Sequence, residues 1–307
     1  MISIIRKLTI DNAILLLSLC MLGWAGNTIA GRLSAGEISP MVIVFLRWAI
    51  VASLLFLFKY NKIVKSFYFL KGKILWLFCM GALGYTGFNS LFYISAHYTS
   101  AINLGIIQGI MPAIILMGSV IFFKEKTNLI QVLGLILTFF GVLILVSQGE
   151  LQTLLLLTLN HGDLIMFFSC FLYSGFTLGL RKKPNIDPFV LMFLFSIVAL
   201  ISSLLGLWIE YQFNLIKWPN HNNEILLIIY IALVPSLISQ MFFIRGVELI
   251  GADKAGLFIN LVPLFSAFLG VIILKEHLQF FHLSSLLIIL FGIYLFMILG
   301  EKVKNKS

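Results

Sequence analysis

TSAINLGIIQGIMPAIILMGSVIFFKE at residues 99–125 and IGADKAGLFINLVPLFSAFLGVIILKE at residues 250–276 are two copies of one pattern. At a constant offset of 151 and without a gap, Ala101 falls on Ala252, Gly105 on Gly256, Pro112 on Pro263 and Lys124-Glu125 on Lys275-Glu276. Any two apolar helices share Leu and Ile by composition, so the weight lies with the Gly, Pro and Lys-Glu punctuation. Further out, Asn89 falls on Gln240, Phe92 on Phe243 and Gly141 on Gly292. Earlier segments agree more loosely: Trp24-Ala25-Gly26 is similar to Tyr173-Ser174-Gly175, Arg32 lies against Arg181 and Pro40 against Pro188. The 307 residues therefore read as two copies of one unit, divided into 1–150 and 151–307.

The rest of the chain is built of runs of about 17 to 24 mostly apolar residues, separated by short polar or charged clusters. Helices are predicted over 11–30, 40–58, 74–92, 99–123, 129–147, 163–180, 188–209, 225–244, 253–274 and 282–299. Apolar residues make up 61% of the chain and charged ones 11%, with a mean hydropathy of +1.07. That leaves too little polar surface for a water-soluble domain. The runs are also about twice the length of a barrel strand and lack its alternation. The expected fold class is an all-α polytopic membrane protein, with ten transmembrane helices forming two inverted five-helix repeats in the lipid bilayer.

The 21 Lys and Arg residues predict the orientation. With the N-terminus inside, the cytoplasmic side receives Arg6 and Lys7, five lysines between residues 59 and 73, Lys124 and Lys126, and Arg181, Lys182 and Lys183. It also receives Arg245, Lys254, Lys302, Lys304 and Lys306. Only Arg32, Lys217 and Lys275 fall outside, and Arg47 lies within the second helix. This positive-inside bias predicts an inner (plasma) membrane protein with both termini cytoplasmic. Five helices per repeat is an odd number, so the two copies enter the membrane from opposite sides, as in many secondary transporters. The formal charge of +9 is explained by orientation, and no nucleic-acid partner is expected. Residues 1–30 begin like a signal peptide, but the apolar stretch outruns a short h-region without a clear cleavage site and reads as a retained first helix.

Several chemistries lack their signatures. Cys20, Cys79 and Cys170 stand singly in apolar runs, so neither a disulfide framework nor a Cys-x-x-Cys site is expected. His97, His161, His221, His277 and His282 lie at helix ends or in loops without a zinc spacing. There is no Walker A sequence, and the Gly81, Gly84, Gly87 series lies inside an apolar helix and follows no strand. No enzymatic activity, cofactor or metal is expected.

Polar side chains inside apolar spans are functional candidates, because each costs free energy in hydrocarbon unless partnered. Asn89 and Gln240 occupy equivalent positions, flanked at helical spacing by Tyr85, Phe88 and Phe92 in one repeat and by Ser236, Ser239 and Phe243 in the other. Two roles fit them: lining of a substrate cavity, and interhelical hydrogen bonding. Trp24 and Asn27 in the first helix are mirrored by Tyr173 and Thr177 in the sixth. Gln108 and Asn260 accompany the small-residue faces of the fourth and ninth helices, where Pro112 and Pro263 fit either a fixed kink or a gate hinge. For Arg47, three roles fit: snorkelling to the surface, pairing with Glu37, or holding an anion in the cavity. Glu125 and Glu276 end their helices and read as interfacial structural groups. No acidic residue stands at the centre of a span, so the sequence shows no site for coupling to a proton or another ion.

These residues are also where the chain resembles a known family, the drug/metabolite transporter superfamily with two EamA-type repeats. The resemblance rests on Trp24-Ala25-Gly26-Asn27, on Pro40 with Arg47, and on Ala101 through Pro112 to Lys124-Glu125 in the first half. In the second it rests on Gly162-Asp163, Arg245-Gly246-Val247-Glu248, Gly251-Ala252, Pro263 to Lys275-Glu276, and Gly292. It covers residues 10 to 300 approximately, and is specific for family and not for substrate. It implies transport of a small-molecule substrate such as an amino acid or derivative, a nucleoside, a sugar or a drug, often outward. A few such proteins import, among them carriers of S-adenosylmethionine. Secondary transport of an amino-acid-like metabolite, by efflux, is the expected function, with uptake of a nucleotide-like metabolite as one alternative and a non-transporting scaffold or lipid-handling protein as another. A monomer and a homodimer both fit. The second repeat departs from the first at Arg47, where the matching stretch holds Phe193, Leu194 and Phe195.

Overall fold

An apolar run becomes a helix where its first amide groups find acceptors, and polar residues placed before the runs supply them. Asn12 accepts from the amide of Leu15 and opens α1 (Ala13–Ser34). Ser100 opens α4 (Ala101–Phe123), Asn128 opens α5 (Leu129–Val146) through a capping box with Gln131, and Asn160 opens α6 (His161–Gly179). Asp187, followed by Pro188 at the first helical position, opens α7 (Pro188–Gln212). The remaining helices are α2 (Pro40–Ser66), α3 (Ile74–Ala96), α8 (Asn222–Ile250), α9 (Leu261–Leu274) and α10 (Phe280–Tyr294). The computed structural model describes residues 12–66, 72–124, 128–147, 149–150, 160–251, 255–256 and 258–295. The very start of the first helix, Glu125, Ala252, most of the segment joining the repeats and both chain termini lie outside the described residues.

The described residues thus form ten helical runs and no strand. Seven are long and apolar enough to cross a membrane; the apolar stretches Leu129–Leu145, Phe258–Leu274 and Phe280–Gly292 are shorter. A 17-residue helix such as Phe258–Leu274 spans about 26 Å, slightly less than a hydrocarbon core of about 30 Å. α2 outruns its predicted end, continuing past a bend at Lys59, where φ is −129° and ψ is 15°. Large apolar side chains such as Phe58, Phe122 and Phe280 face outward, as a lipid-exposed surface requires.

The duplication reappears in the backbone. Residues Met80–Gly87 of α3 and Ala232–Ile238 of α8 are both wound as π-helix, at equivalent positions. Lys124 and Lys275 both end their helices in the left-handed conformation, with φ of 56° and 55°. The Lys-Glu motif thus has a local meaning: the lysine turns the chain, and Glu276 accepts from the amides of Ala101 and Ile102 at the start of α4. α4 is interrupted at Gly109 and Ile110, and α9 is preceded by a 3-10 turn, Phe258–Asn260, so that Pro112 and Pro263 lie in first helical turns, where a missing N–H is harmless.

Packing follows the same symmetry. α1 lies on α8 as α6 lies on α3, and α1 lies on α9 as α6 lies on α4. α2 pairs with α7, α4 with α9, and α5 with α10 across the two halves. Glycine permits the closest approaches: a Cβ at Gly84 would lie 2.6 Å from the ring of Phe176, and one at Gly81 would lie 2.7 Å from Val198. The glycine series of α3 is therefore a packing face against α6 and α7. Gly179 meets Met80, whereas Gly175 faces open space.

Candidate functional site

Between the repeats, bounded by α1, α2, α3, α4, α6 and α8, lies a small, largely enclosed cavity of about 30 Å³. It has room for one or two waters. Its wall carries Trp24, Asn27, Arg47, Trp48, Tyr85, Phe88, Asn89, Phe92, Gln108, Met111, Tyr173, Pro235 and Gln240. Eight of the ten substrate-site candidates predicted from sequence meet here: Trp24, Asn27, Arg47, Tyr85, Asn89, Gln108, Tyr173 and Gln240.

Arg47 is 3% exposed and organises the polar side. Its Nε donates to Ser236 Oγ at 2.7 Å, and its Nη1 donates to Asn89 Oδ1 at 2.5 Å and to Tyr93 Oη at 2.9 Å. Tyr93 in turn donates to Asn27 Oδ1 at 2.7 Å, and the Asn89 amide donates to the carbonyl of Tyr85 at 2.5 Å. The guanidinium therefore joins α1, α2 and α3 of one repeat to α8 of the other. It neither snorkels nor pairs with Glu37, which is exposed. Hydrogen bonds inside the bundle take three of its five N–H groups and hold it away from the surface.

The π-helical turn of α8 positions the partners from the second repeat. Pro235 interrupts regular bonding, its carbonyl accepts from Trp24 Nε1 at 3.3 Å, and Ser236 donates to the carbonyl of Ile231 while accepting from Arg47. One turn on, Gln240 and Tyr173 are joined at 3.0 Å. Rings close the other sides: Trp48 stacks on Tyr85 with centroids 4.4 Å apart, and Trp24 meets Tyr173 edge-on at 5.2 Å. The Arg47 guanidinium carbon lies 5.1 Å from the Trp48 ring centre and 5.7 Å from that of Tyr93, a cation–π arrangement.

Two predicted candidates lie off this wall. Ser239 is buried against α1, where a Cβ at Gly23 would collide with it. Asn260 is buried before α9 and its Oδ1 has no hydrogen-bond partner among the described residues. A Cβ at Gly109 would lie 3.2 Å from the ring of Pro263, so the interruptions of α4 and α9 lie close together. Sequence reasoning missed Trp48, Met111 and Pro235 on the wall, and Tyr93 behind it. Tyr93 had a signal, lying four residues after Asn89 on the same helical face.

The bundle ends differ. At one end Lys62 pairs with Asp187 at 2.7 Å, Lys183 with Glu248 at 2.9 Å, and Lys73 reaches the carbonyl of Lys182. At the other, a basin of about 920 Å³ opens between Arg32, His97, Glu276 and His282. Partial burial and the nearby charges of Arg32 and Lys217 hold the His97 pKa below the usual imidazole value. Behind the basin, buried Asp163 accepts from Thr99 at 2.5 Å and from the Asn103 amide at 3.1 and 3.2 Å. His282 Nδ1 accepts from the amide of Gln279, so its Nε2–H donates to Asn103 Oδ1 at 3.1 Å. This network ties the starts of α4, α6 and α10 together.

Comparison with known proteins agrees with this fold. Over 236 residues, 76% of each chain, the sequence is 28% identical to the uncharacterized transporter YyaM of Bacillus subtilis. Over 291 residues, covering 92% of this chain and 96% of the other, it is 25% identical to an uncharacterized transporter of Archaeoglobus fulgidus. One solved crystal structure superposes with a TM-score of 0.69 over 94% of this chain and 98% of that one, at 16% identity, which shows a shared fold. Residues 11–147 and 160–298 each match the EamA-like transporter family. Two matched repeats in an all-helical, multi-pass chain establish that this protein belongs to the EamA-like transporter family and is a membrane transporter.

Proposed function

We propose that the chain is a secondary transporter that moves a small metabolite, an amino acid or a related compound, outward across the inner membrane by alternating access. The observation that carries this reading is the small, largely enclosed cavity at the interface of the two repeats, lined by amides, a guanidinium and aromatic rings. A largely enclosed cavity between inverted repeats is what rocking of one repeat against the other would open first to one side and then to the other. The substrate would favour closure and shift the population between the two open forms. Asn89 and Gln240 would present polar groups to the solute, Trp24, Tyr85 and Tyr173 flat surfaces, and Asn27 and Gln108 the far wall. The breaks beside Pro112 and Pro263 would act as hinges. The basic end of the bundle would face the cytoplasm, as would both termini.

Flux into and out of proteoliposomes tests the reading. Saturable movement of a metabolite is expected, reduced about five- to 150-fold by Asn89→Ala or Gln240→Ala, the range set by losing one buried hydrogen-bonding group. Both variants should keep the wild-type elution profile and unfolding temperature within a few degrees. Absence of saturable flux across a broad metabolite panel would favour a scaffold or lipid-handling role instead, and flux only inward would reverse the proposed direction.

A further inference from the structure

The charge on Arg47 is not balanced inside the protein. A guanidinium has five N–H groups. Three are used, and all three acceptors are neutral oxygens, those of Ser236, Asn89 and Tyr93. Both N–H groups of Nη2 have no acceptor among the described residues. Among the described residues, no carboxylate lines the cavity. The acids buried elsewhere do not line it: Asp163 accepts from Thr99 and Asn103, and Glu210 Oε1 accepts from the amide of Met41 at the start of α2 while its Oε2 has no partner among the described residues. A second donor is idle nearby: Trp48 lines the same cavity with its ring centre 5.1 Å from the guanidinium carbon, and its buried indole Nε1–H has no partner among the described residues.

An uncompensated buried cation is costly, and nearby uncommitted N–H donors add to that cost. A cationic solute would increase it and a neutral one would leave the charge unbalanced. An anion removes both costs, with its oxygens taking the free N–H groups. The rest of the wall selects further: Trp24, Tyr85, Phe88 and Tyr173 offer ring faces to a flat apolar body, which a bare inorganic ion does not have.

We infer that the solute is a small organic anion, its carboxylate or equivalent oxyanion held by Arg47 Nη2 and the Trp48 N–H, and its body packed on the surrounding rings once the repeats part and the water-sized cavity widens. This rests on the transport reading above and narrows its substrate class. The second repeat has no counterpart of Arg47, so the cavity has one charged pole, and the anion takes one orientation.

Binding and flux, measured separately on the full chain, test it. In nanodiscs, phenylacetate and indole-3-acetate are compared with their uncharged amides, with phenethylamine and tryptamine, and with chloride alone. At least about tenfold tighter binding of a carboxylate over its amide and amine is expected, since a charge-assisted pair is lost in each. Arg47→Gln should reduce the carboxylate to the level of its amide, Arg47→Lys should retain part of the preference, and Trp48→Phe should weaken carboxylates several-fold while leaving amides unchanged. The inference is overturned if no carboxylate binds, if amides or amines match the carboxylates, if the preference survives Arg47→Gln, or if only chloride binds. The two readings fail separately. Arg47-dependent carboxylate binding without flux would leave this inference standing and remove transport. Flux of neutral or cationic solutes untouched by Arg47→Gln would do the reverse.

Discussion

Replacing Arg47 by methionine is expected to abolish transport without weakening the fold. Methionine fills much of the same length and brings no charge. The loss of binding should be about 2–5 kcal/mol, roughly thirtyfold to several-thousandfold, the range for truncating one partner of a buried charged contact. Stability should move the other way or not at all. Tyr93 keeps its bond to Asn27 and Ser236 keeps its bond to Ile231 after the guanidinium is gone, so only Asn89 Oδ1 is left without a donor. Against that single loss stands relief of a buried cation with no carboxylate beside it. The unfolding temperature in detergent should therefore equal or exceed that of wild type while saturable flux disappears. A structural arginine would give the opposite pair, a large fall in unfolding temperature with flux retained in the fraction that folds.

The second large effect concerns the contact between α4 and α9. A Cβ on Gly105 would fall inside the side chain of Ser266, with its Oγ only 2.6 Å away, and would lie 3.7 Å from the Cα of Pro263. Ser266 is fully buried and also accepts from Thr28 of α1 at 3.1 Å. Nothing at this crossing gives way cheaply. Gly105→Val should cost about 1–3 kcal/mol or more by overpacking, seen as a drop in unfolding temperature and in yield of monodisperse protein. Gly105→Ala should cost less, and Ser266→Gly in the same chain should recover part of its loss. Thermal unfolding of the two single variants and the double variant measures that coupling; strictly additive losses would contradict direct contact.

Much of the bundle was legible in the sequence because the bilayer restricts what an apolar run can become. Periodic punctuation by glycine, proline and Lys-Glu located the repeat, and the backbone carries it down to the left-handed turns at Lys124 and Lys275. The π-helical turns were not legible: Gly84 and Pro235 occupy equivalent positions but share no residue-level sign of a wider turn. Their effect on the site is direct, since the turn in α8 delivers Ser236 to Arg47. Helical spacing placed Gln240 on the cavity, but it could not tell which edge of the stripe α1 would cover, and α1 covers Ser239. Arg47 stood out as the one basic residue within a span. Its partners were unreadable because they come from α3 and α8, segments 42 to 189 residues away in the chain. Trp48 is adjacent to it in sequence and was passed over because a lone tryptophan in an apolar run has no distinguishing mark.

Alternating access requires that one cavity between the repeats be reached in turn from the two faces of the membrane. Met111 lines that cavity and Met tolerates exchange, so Met111→Cys reports on it. Cys79, the exposed native thiol, is replaced by serine, and buried Cys20 and Cys170 are kept. In right-side-out and inside-out vesicles, a membrane-impermeant thiol reagent should modify Met111→Cys from both faces, and phenylacetate should slow both reactions. Modification from one face only, or from neither, would contradict alternating access.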